Sequence, residues 1–390
     1  MVALKVISVF GTRPEAIKMA PLVKTLDIEK SIDSKVCVTA QHRDMLDQVL
    51  RLFNINPDYD LNIMKEKQTL SDITTSVLSG LQSVFSQERP DIILVHGDTT
   101  TTFVAALAAF YNKIKVGHIE AGLRSFDKWF PYPEEINRKL TGVLADLHFS
   151  PTTTAKTNLL KEGVKEENIF VTGNTVIDAM AYTIKKDYIF KEEKLKSVDY
   201  NRRIIVVTAH RRENWGEPLR NICNAIKKIA QNYPDVYIIY PVHKNPLVKD
   251  LVYEILGEIE NVLLLDPLDT DDMHNLLSKS YMVLTDSGGL QEEVPSLGKP
   301  VLVLRDVTER PEAVLAGTVK IIGTKETNIY KEGSLLLNNQ NEYLKMSNAV
   351  NPYGDGRASI RIVEAIKYIF GISNEKPKDY VPDIVAEANK

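Results

Sequence analysis

Short apolar runs alternate with amphipathic stretches along nearly the whole chain, and that alternation stops once and restarts. The first series is "KVISVF" (5–10), "KVCVTA" (35–40), "DIILVHG" (91–97), "KVGHIE" (115–120), "LHFS" (147–150) and "IFVTG" (169–173). A lysine-rich stretch at about 185–202 follows. The second series is "IIVVTAH" (204–210), "VYIIYPVH" (236–243), "NVLLLD" (261–266), "YMVLTD" (281–286), "PVLVLRD" (300–306) and "VKIIG" (319–323). Strands that are apolar on both faces, with helical patterns between them, belong in parallel sheets covered on both sides. Two such series predict an α/β protein with two doubly wound, Rossmann-like domains facing a cleft. The expected bounds are 1–185 and 200–356, with a helix at about 357–372 completing the first domain and 373–390 a peripheral tail.

Composition narrows the partners. With 48 basic and 52 acidic residues the formal charge is −4, so no field favours a nucleic acid polymer or an anionic membrane. Cys37 and Cys223 fall in a predicted strand and a predicted helix, without CxxC or Cys/His spacing, so neither a disulfide scaffold nor a metal site is expected. "VALKVISVF" (2–10) leads into "GTRPE" with no small-residue cleavage site and reads as a first strand. No run reaches the roughly 20 apolar residues of a membrane span. The expected location is the cytoplasm.

In open parallel sheets ligands bind beyond the carboxyl ends of the strands. Those ends carry Arg13 and Lys18, Asp98 with a threonine run, Glu120, His210 with Arg211, His243, Asp286 with Ser287-Gly288-Gly289, and Arg310. Each has an ordinary reading as well. Asp98 can cap the helix that follows. Glu134, with Arg138 four residues on, can be a first-turn acid in an i,i+4 pair. His210 can be a hydrogen-bonded structural histidine, and Lys18 a solvated side chain. Glu120 ends an apolar strand before Ala-Gly, where no cap is needed, which favours function. His42, His96, His118, His148 and His274 receive no role. "RPEA" occurs twice, at Arg13–Ala16 and Arg310–Ala313, each time with proline at a helix start.

"TDSGGLQEE" (Thr285–Glu293) is the most informative turn. Amides of Ser287, Gly288 and Gly289 at a helix start suit a diphosphate, with arginine charge from Arg13 and Arg310. Glu293 is then free to turn toward a ribose, while Glu292, about 100° round the helix, is structural. No Gly-x-Gly-x-x-Gly fingerprint follows a strand, so bound NAD is not expected, and no phosphate-loop lysine follows the glycines. A nucleotide-sugar enzyme with diphosphate as leaving group fits these parts.

The motifs "VFGTRPEAIKMAPL", "TAQHRDML", "VHGDTTTT", "GHIEAGLRS", "PYPEEINR", "TGNTVID", "TAHRRENWGEP", "YPVHKNP", "LTDSGGLQEEVPSLGKPVLVLRDVTERPEA" and "NPYGDGRAS", in this order between residues 9 and 359, resemble the non-hydrolysing UDP-N-acetylglucosamine 2-epimerases. The resemblance implies a glycosyltransferase B-type fold, a homodimer, no cofactor, and reversible conversion of UDP-N-acetylglucosamine to UDP-N-acetylmannosamine. The implied route is elimination of UDP to 2-acetamidoglucal and re-addition, supplying N-acetylmannosamine for cell-surface polysaccharide. Asp98, Glu120 and Glu134 match the catalytic carboxylates, and His210 a histidine at the diphosphate. Arg13, Lys18, Ser287, Gly288, Gly289, Glu293 and Arg310 match the UDP-binding set, and Met273 stands where an aromatic is common near the uracil. Gln41, Glu134, Arg211 and His243 match a site for a second substrate molecule acting as activator. Asp44 and Lys67 depart from the pattern around that site. A hydrolysing epimerase, a glycosyltransferase and a non-catalytic nucleotide-sugar sensor stay open as alternatives.

Overall fold

The computed structural model describes residues 3–41, 43–65 and 67–382, without the Asp44 side chain. The chain forms two compact units: one runs to Tyr182 and resumes at Tyr353–Val381, the other includes Thr183–Pro352.

The first unit has seven strands: β1 Leu4–Phe10, β2 Ile32–Val38, β3 Tyr59–Asp60, β4 Ile92–His96, β5 Lys115–Ile119, β6 Leu147–Ser150 and β7 Ile169–Val171. They pair in parallel in the order β3-β2-β1-β4-β5-β6-β7. Successive β1 side chains go to opposite faces. Val6 and Phe10 join Met19, Leu22 and Leu26 of helix Arg13–Asp27 and Ile362 and Ile366 of helix Ala358–Ile369. Ile7 and Val9 join Ile93, Val95 and the buried faces of helices Leu70–Glu88 and Thr100–Tyr111. Burial on both faces is why these strands read as unbroken apolar runs.

The second unit has β8 Arg203–Thr208, β9 Val236–Pro241, β10 Val262–Leu265, β11 Met282–Thr285, β12 Val301–Val303 and β13 Val319–Ile321. These are also all parallel, in the order β10-β9-β8-β11-β12-β13. Each sheet changes its direction of growth once, between β1 and β4 and between β8 and β11. A parallel sheet opens a ligand crevice at the carboxyl ends of the strands at such a point.

Two expectations about the chain's course need correction. The lysine-rich stretch does not merely separate the halves; it is folded into the second unit. Its Phe190 and Leu195 are buried, the Tyr188 hydroxyl donates to Asp272 at 2.8 Å, and the Lys191 and Glu192 amides donate to the same carboxylate at 3.0 and 2.9 Å. The apolar residues scattered among the lysines drive this docking. The tail is not wholly peripheral: it docks at Asp379 and Tyr380, while residues 374–376 and 378 are exposed. Asp379 accepts from the Val171 amide at 3.0 Å, the Tyr380 amide donates to the Val171 carbonyl at 2.6 Å, and the Tyr380 side chain is buried. The tail thereby covers edge strand β7, whose open backbone groups would otherwise face water. Residues 383–390 of the expected tail, and His42, lie outside the described residues. Among the described residues, no helix is long and apolar enough to cross a membrane.

Candidate active site

In the first unit, the ends of β1, β4 and β5 bring together an acid–base cluster. Gly11 lies so close to the residue after β2 and to helix Thr100–Tyr111 that a Cβ there would stand 1.9 Å from Thr39 Oγ1 and 2.9 Å from Thr101 Oγ1. Glu15, buried in the first helical turn, pins this loop to the next one. Its carboxylate accepts from the Gly11 and Thr12 amides at 3.1 and 2.8 Å, and from the Thr99 and Thr102 hydroxyls at 2.7 and 3.0 Å. Burial pushes the Glu15 carboxyl upward, against the lowering effect of these bonds. The guanidinium of Arg13, on the same turn, has no hydrogen-bond or ion-pair partner among the described residues.

Glu120 follows β5 with φ of 61°, a left-handed conformation that non-glycine residues rarely take outside sites that need it. Its Oε2 is paired with Lys18 Nζ, accepts from Asn174 Nδ2 at 2.7 Å, and lies 3.8 Å from His96 Nε2. Burial holds His96 neutral by pushing its pKa down to about 4, although the Glu120 charge works the other way. Asp98 Oδ2 accepts from Arg138 Nε at 2.9 Å and lies 2.6 Å from Nη2. The capping reading of Asp98 falls away, because Thr99 is the cap and its hydroxyl accepts from the Thr102 amide at 3.1 Å.

The expected Glu134–Arg138 pair is not made. Arg138 serves Asp98 and, at 3.3 Å, the fully buried Glu135, which also accepts from the Ser125 and Phe126 amides at 2.9 and 3.1 Å. Glu134, one turn before Arg138 on the same helix face, has its Oε2 buried without a hydrogen-bond partner among the described residues. Gln41 accepts from the Thr101 hydroxyl at 3.4 Å.

The second unit's cluster forms at the ends of β8 and β11. Asp286, fully buried, organises the loop after β8. Its Oδ2 accepts from the His210 and Arg211 amides, both at 2.8 Å, and from Asn214 Nδ2 at 3.0 Å. His210 Nδ1 lies 3.2 Å from Asp286 Oδ1, and the half-exposed ring stacks on His243 at 6.0 Å and 12°. Of the three amides expected to face a diphosphate, that of Ser287 is taken by Thr285 Oγ1 at 2.9 Å. Those of Gly288 and Gly289 have no partner among the described residues. Around Gly288 lie Arg211 and Glu309, whose atoms would stand 3.7 and 3.6 Å from a Cβ at that position.

Arg310 Nε binds the buried Glu292, so the acid next to the expected ribose ligand orients the arginine. Glu293 faces His274 Nε2 at 3.6 Å, and His274 Nδ1 meets the Thr183 hydroxyl at 2.7 Å. Met273, half-buried, precedes that histidine on helix Thr270–Ser278.

Some sequence assignments shift accordingly. Lys18, grouped with the UDP ligands, sits on catalytic-set Glu120. His96 and His274, given no role, each face a site carboxylate. Glu15, Asn174, Arg138 and Asp286 were not in the site set. Glu15, Asn174 and Asp286 lie in motifs at strand ends, which is the signal that could have raised them, whereas Arg138 lies within helix Glu134–Leu144. Arg310→Ala is expected to weaken UDP binding about 10- to 100-fold and also to lower the melting temperature, because Glu292 loses its charge partner. Adding Glu292→Gln should restore stability but not affinity, measured by calorimetry and thermal melting. Unchanged affinity in both variants removes Arg310 from the nucleotide-binding set.

Two parallel α/β sheets with charged clusters at both switch points define a class, the two-domain enzymes of glycosyltransferase B architecture. A glycosyltransferase of kitacinnamycin shares the fold at a TM-score of 0.64 over 94% of this chain and 99% of its own, at 12% identity. Residues 24–367 match the model of the UDP-N-acetylglucosamine 2-epimerase family. The UDP-N-acetylglucosamine 2-epimerase of Bacillus subtilis strain 168 is 56% identical over 380 residues, covering 97% of this chain and 99% of the relative. The structure of the Neisseria meningitidis UDP-GlcNAc 2-epimerase, bound to UDP-GlcNAc, is 52% identical with a TM-score of 0.84, over 93% of this chain and 99% of that one. The chain belongs to the UDP-N-acetylglucosamine 2-epimerase family, a family of isomerases.

Proposed function

We propose that the protein interconverts UDP-N-acetylglucosamine and UDP-N-acetylmannosamine without hydrolysis. The second unit holds UDP through the Gly288 and Gly289 amides, Arg310 and His210, with Glu293 and Met273 toward the nucleoside. The first unit supplies the carboxylates Asp98, Glu120 and Glu134, with Arg13 adding charge for the diphosphate. A carboxylate removes the proton from C2, the C1–O bond breaks with its electrons going to the diphosphate, and 2-acetamidoglucal remains. Protonation of C2 on the other face and return of the diphosphate oxygen to C1 complete the exchange.

The observation that carries this reading, in a chain of this family, is the contrast among the three acids. Glu120 and Asp98 are held by Lys18 and Arg138, while Glu134 Oε2 is buried without a hydrogen bond among the described residues. A buried polar atom without a partner calls for one, and substrate is the candidate.

Gln41, Glu134, Arg211 and His243 are proposed to hold a second substrate molecule as activator, and the His210–His243 stack supports a link between activator and diphosphate sites. Two copies form the working unit. Ile136, Leu140 and Val143 make an exposed apolar stripe on helix Glu134–Leu144, Phe110 and Tyr111 of the helix packed against it are exposed too, and a second copy suits this face. Free, buried Cys37 and Cys223 fit the reducing cytoplasm, and the product supplies polysaccharide synthesis.

Proton NMR of UDP-N-acetylglucosamine with the protein in deuterated water tests the reaction. The expected result is UDP-N-acetylmannosamine, with deuterium at C2 of both sugars and no free hexosamine. Free N-acetylmannosamine with stoichiometric UDP identifies a hydrolysing enzyme instead. Binding without C2 exchange identifies a sensor.

A further inference from the structure

Asn174 opens helix Thr175–Thr183, and each end of its side-chain amide has a different task. Oδ1 accepts from the Val176 amide at 3.1 Å and so caps the helix, while Nδ2 donates to Glu120 Oε2 at 2.7 Å. The two bonds fix the orientation of the amide, since a flipped amide would put a donor against the helix amide and an acceptor against the carboxylate. The residue is buried, and its backbone is held as well. Its amide donates to the Tyr353 carbonyl at 2.6 Å, and its carbonyl accepts from Ile177 at 3.1 Å.

Around Glu120 stand Lys18 from helix Arg13–Asp27, His96 from β4, Asp98 just after it, and Asn174. Lys18 and His96 are side chains on other elements, and Asp98 is engaged by Arg138. Asn174 donates to Glu120 without a charge, where neutral His96 stands 3.8 Å away and beyond hydrogen-bond distance, so it can fix the rotation of the carboxylate without changing the charge of the cluster. Lys18 and Asn174 converge on Oε2. On the Oε1 side lies Gly97, where a Cβ would stand 3.6 Å away.

We infer that Asn174 is a positioning residue for the reaction, setting the plane of the Glu120 carboxylate through one hydrogen bond while its other end caps a helix. The inference rests on the role proposed above for Glu120.

Two substitutions separate the tasks. Asn174→Ser and Asn174→Asp both keep an oxygen that can cap the helix, because serine, aspartate and asparagine cap about equally well. Serine loses the donor to Glu120, and aspartate sets a second carboxylate against Oε2. In the full-length protein, both variants should stay folded at the assay temperature, the serine variant melting a few degrees below the parent and the aspartate variant lower still, because its second carboxylate is buried beside Glu120. For the serine variant, kcat for epimerisation should fall about 10- to 100-fold, the value of one hydrogen bond to a charged group, with KM within about twofold. For the aspartate variant the fall should be larger. Paired carboxylates there share a proton, so the acid limb of the pH–rate profile should move to higher pH.

Carbon-13 NMR of labelled glutamate carboxyls, with Glu120 assigned through Glu120→Gln, should show the same upward move in the titration of Glu120. A Glu120 titration identical in the parent and the aspartate variant overturns the inference. So does a loss of kcat that merely follows unfolding at the assay temperature. A parent protein that exchanges no C2 proton instead overturns the proposed reaction, and the carboxyl titration still decides the placement of Asn174.

Discussion

Replacing Asp98 with asparagine should lower kcat about 10²- to 10⁴-fold, the contribution of one acid–base group, with UDP affinity nearly unchanged. Asparagine has the same shape and still offers an oxygen to the Arg138 fork. Arg138 keeps Glu135 at 3.3 Å, so no buried guanidinium is stranded. The following helix is capped by Thr99 and does not notice the change. Apart from Arg13, the proposed UDP contacts lie in the other unit. Loss of turnover should therefore come without loss of melting temperature or of UDP binding, read by steady-state rates, thermal melting and calorimetry. Turnover near the parent level would remove Asp98 from the catalytic set.

Asp286→Ala should act in the opposite sense, on stability and UDP affinity together. The carboxylate is fully buried and accepts three N–H groups from the loop after β8, besides facing the His210 ring. Removing it leaves those donors unsatisfied and costs on the order of 3 kcal/mol. It also releases His210 and Arg211, so UDP should bind more weakly. The effect depends on pH with a definite sign. Burial would raise the Asp286 carboxyl, but the His210 ring and the His210 and Arg211 amides outweigh burial and hold it below its usual range. A carboxylate lowered in the folded state gives stability that is fully present above its unfolded value, about 3.9, and is lost as pH falls through the folded value. The gap between parent and variant should thus be widest near neutral pH and shrink in strong acid, measured by denaturant unfolding across that range. A variant as stable as the parent at neutral pH, with unchanged UDP affinity, would dismiss Asp286 as the organiser of the loop.

Strands were legible because burial on both faces leaves a local mark. β6 matches its predicted span, and β4, β8 and β11 lie within a residue or two of theirs. β3 left no such mark: it is two residues, Tyr59 and Asp60, at a sheet edge, without the apolar run that announces the other strands. In the site, the residue types at strand ends were readable, and their partners were not. Arg138 sits four residues after Glu134 in sequence, yet its carboxylate partners are Glu135 and, after β4, the distant Asp98. The bonds from Asn174 to Glu120 and from His274 to Thr183 likewise join distant segments, set by the stacking order of strands rather than by any nearby spacing. Ser287 looked like an anion ligand because helix-start amides are usually unbonded. Thr285, two residues back, takes that amide through its hydroxyl, a choice between competing local acceptors that composition does not reveal.

The chain's division into units also sets an order of assembly during synthesis. The second unit's strands and helices come from one uninterrupted stretch, and all of them have been translated by the time Pro352 emerges. The first unit has by then lacked helix Ala358–Ile369, whose Ile362 and Ile366 fill the same core as β1, and the Tyr380 segment that covers β7. On the ribosome, then, the half that is begun first is finished last. The first unit waits with an open core face while the second folds, and a truncation before residue 358 should expose that face without touching the second unit's core.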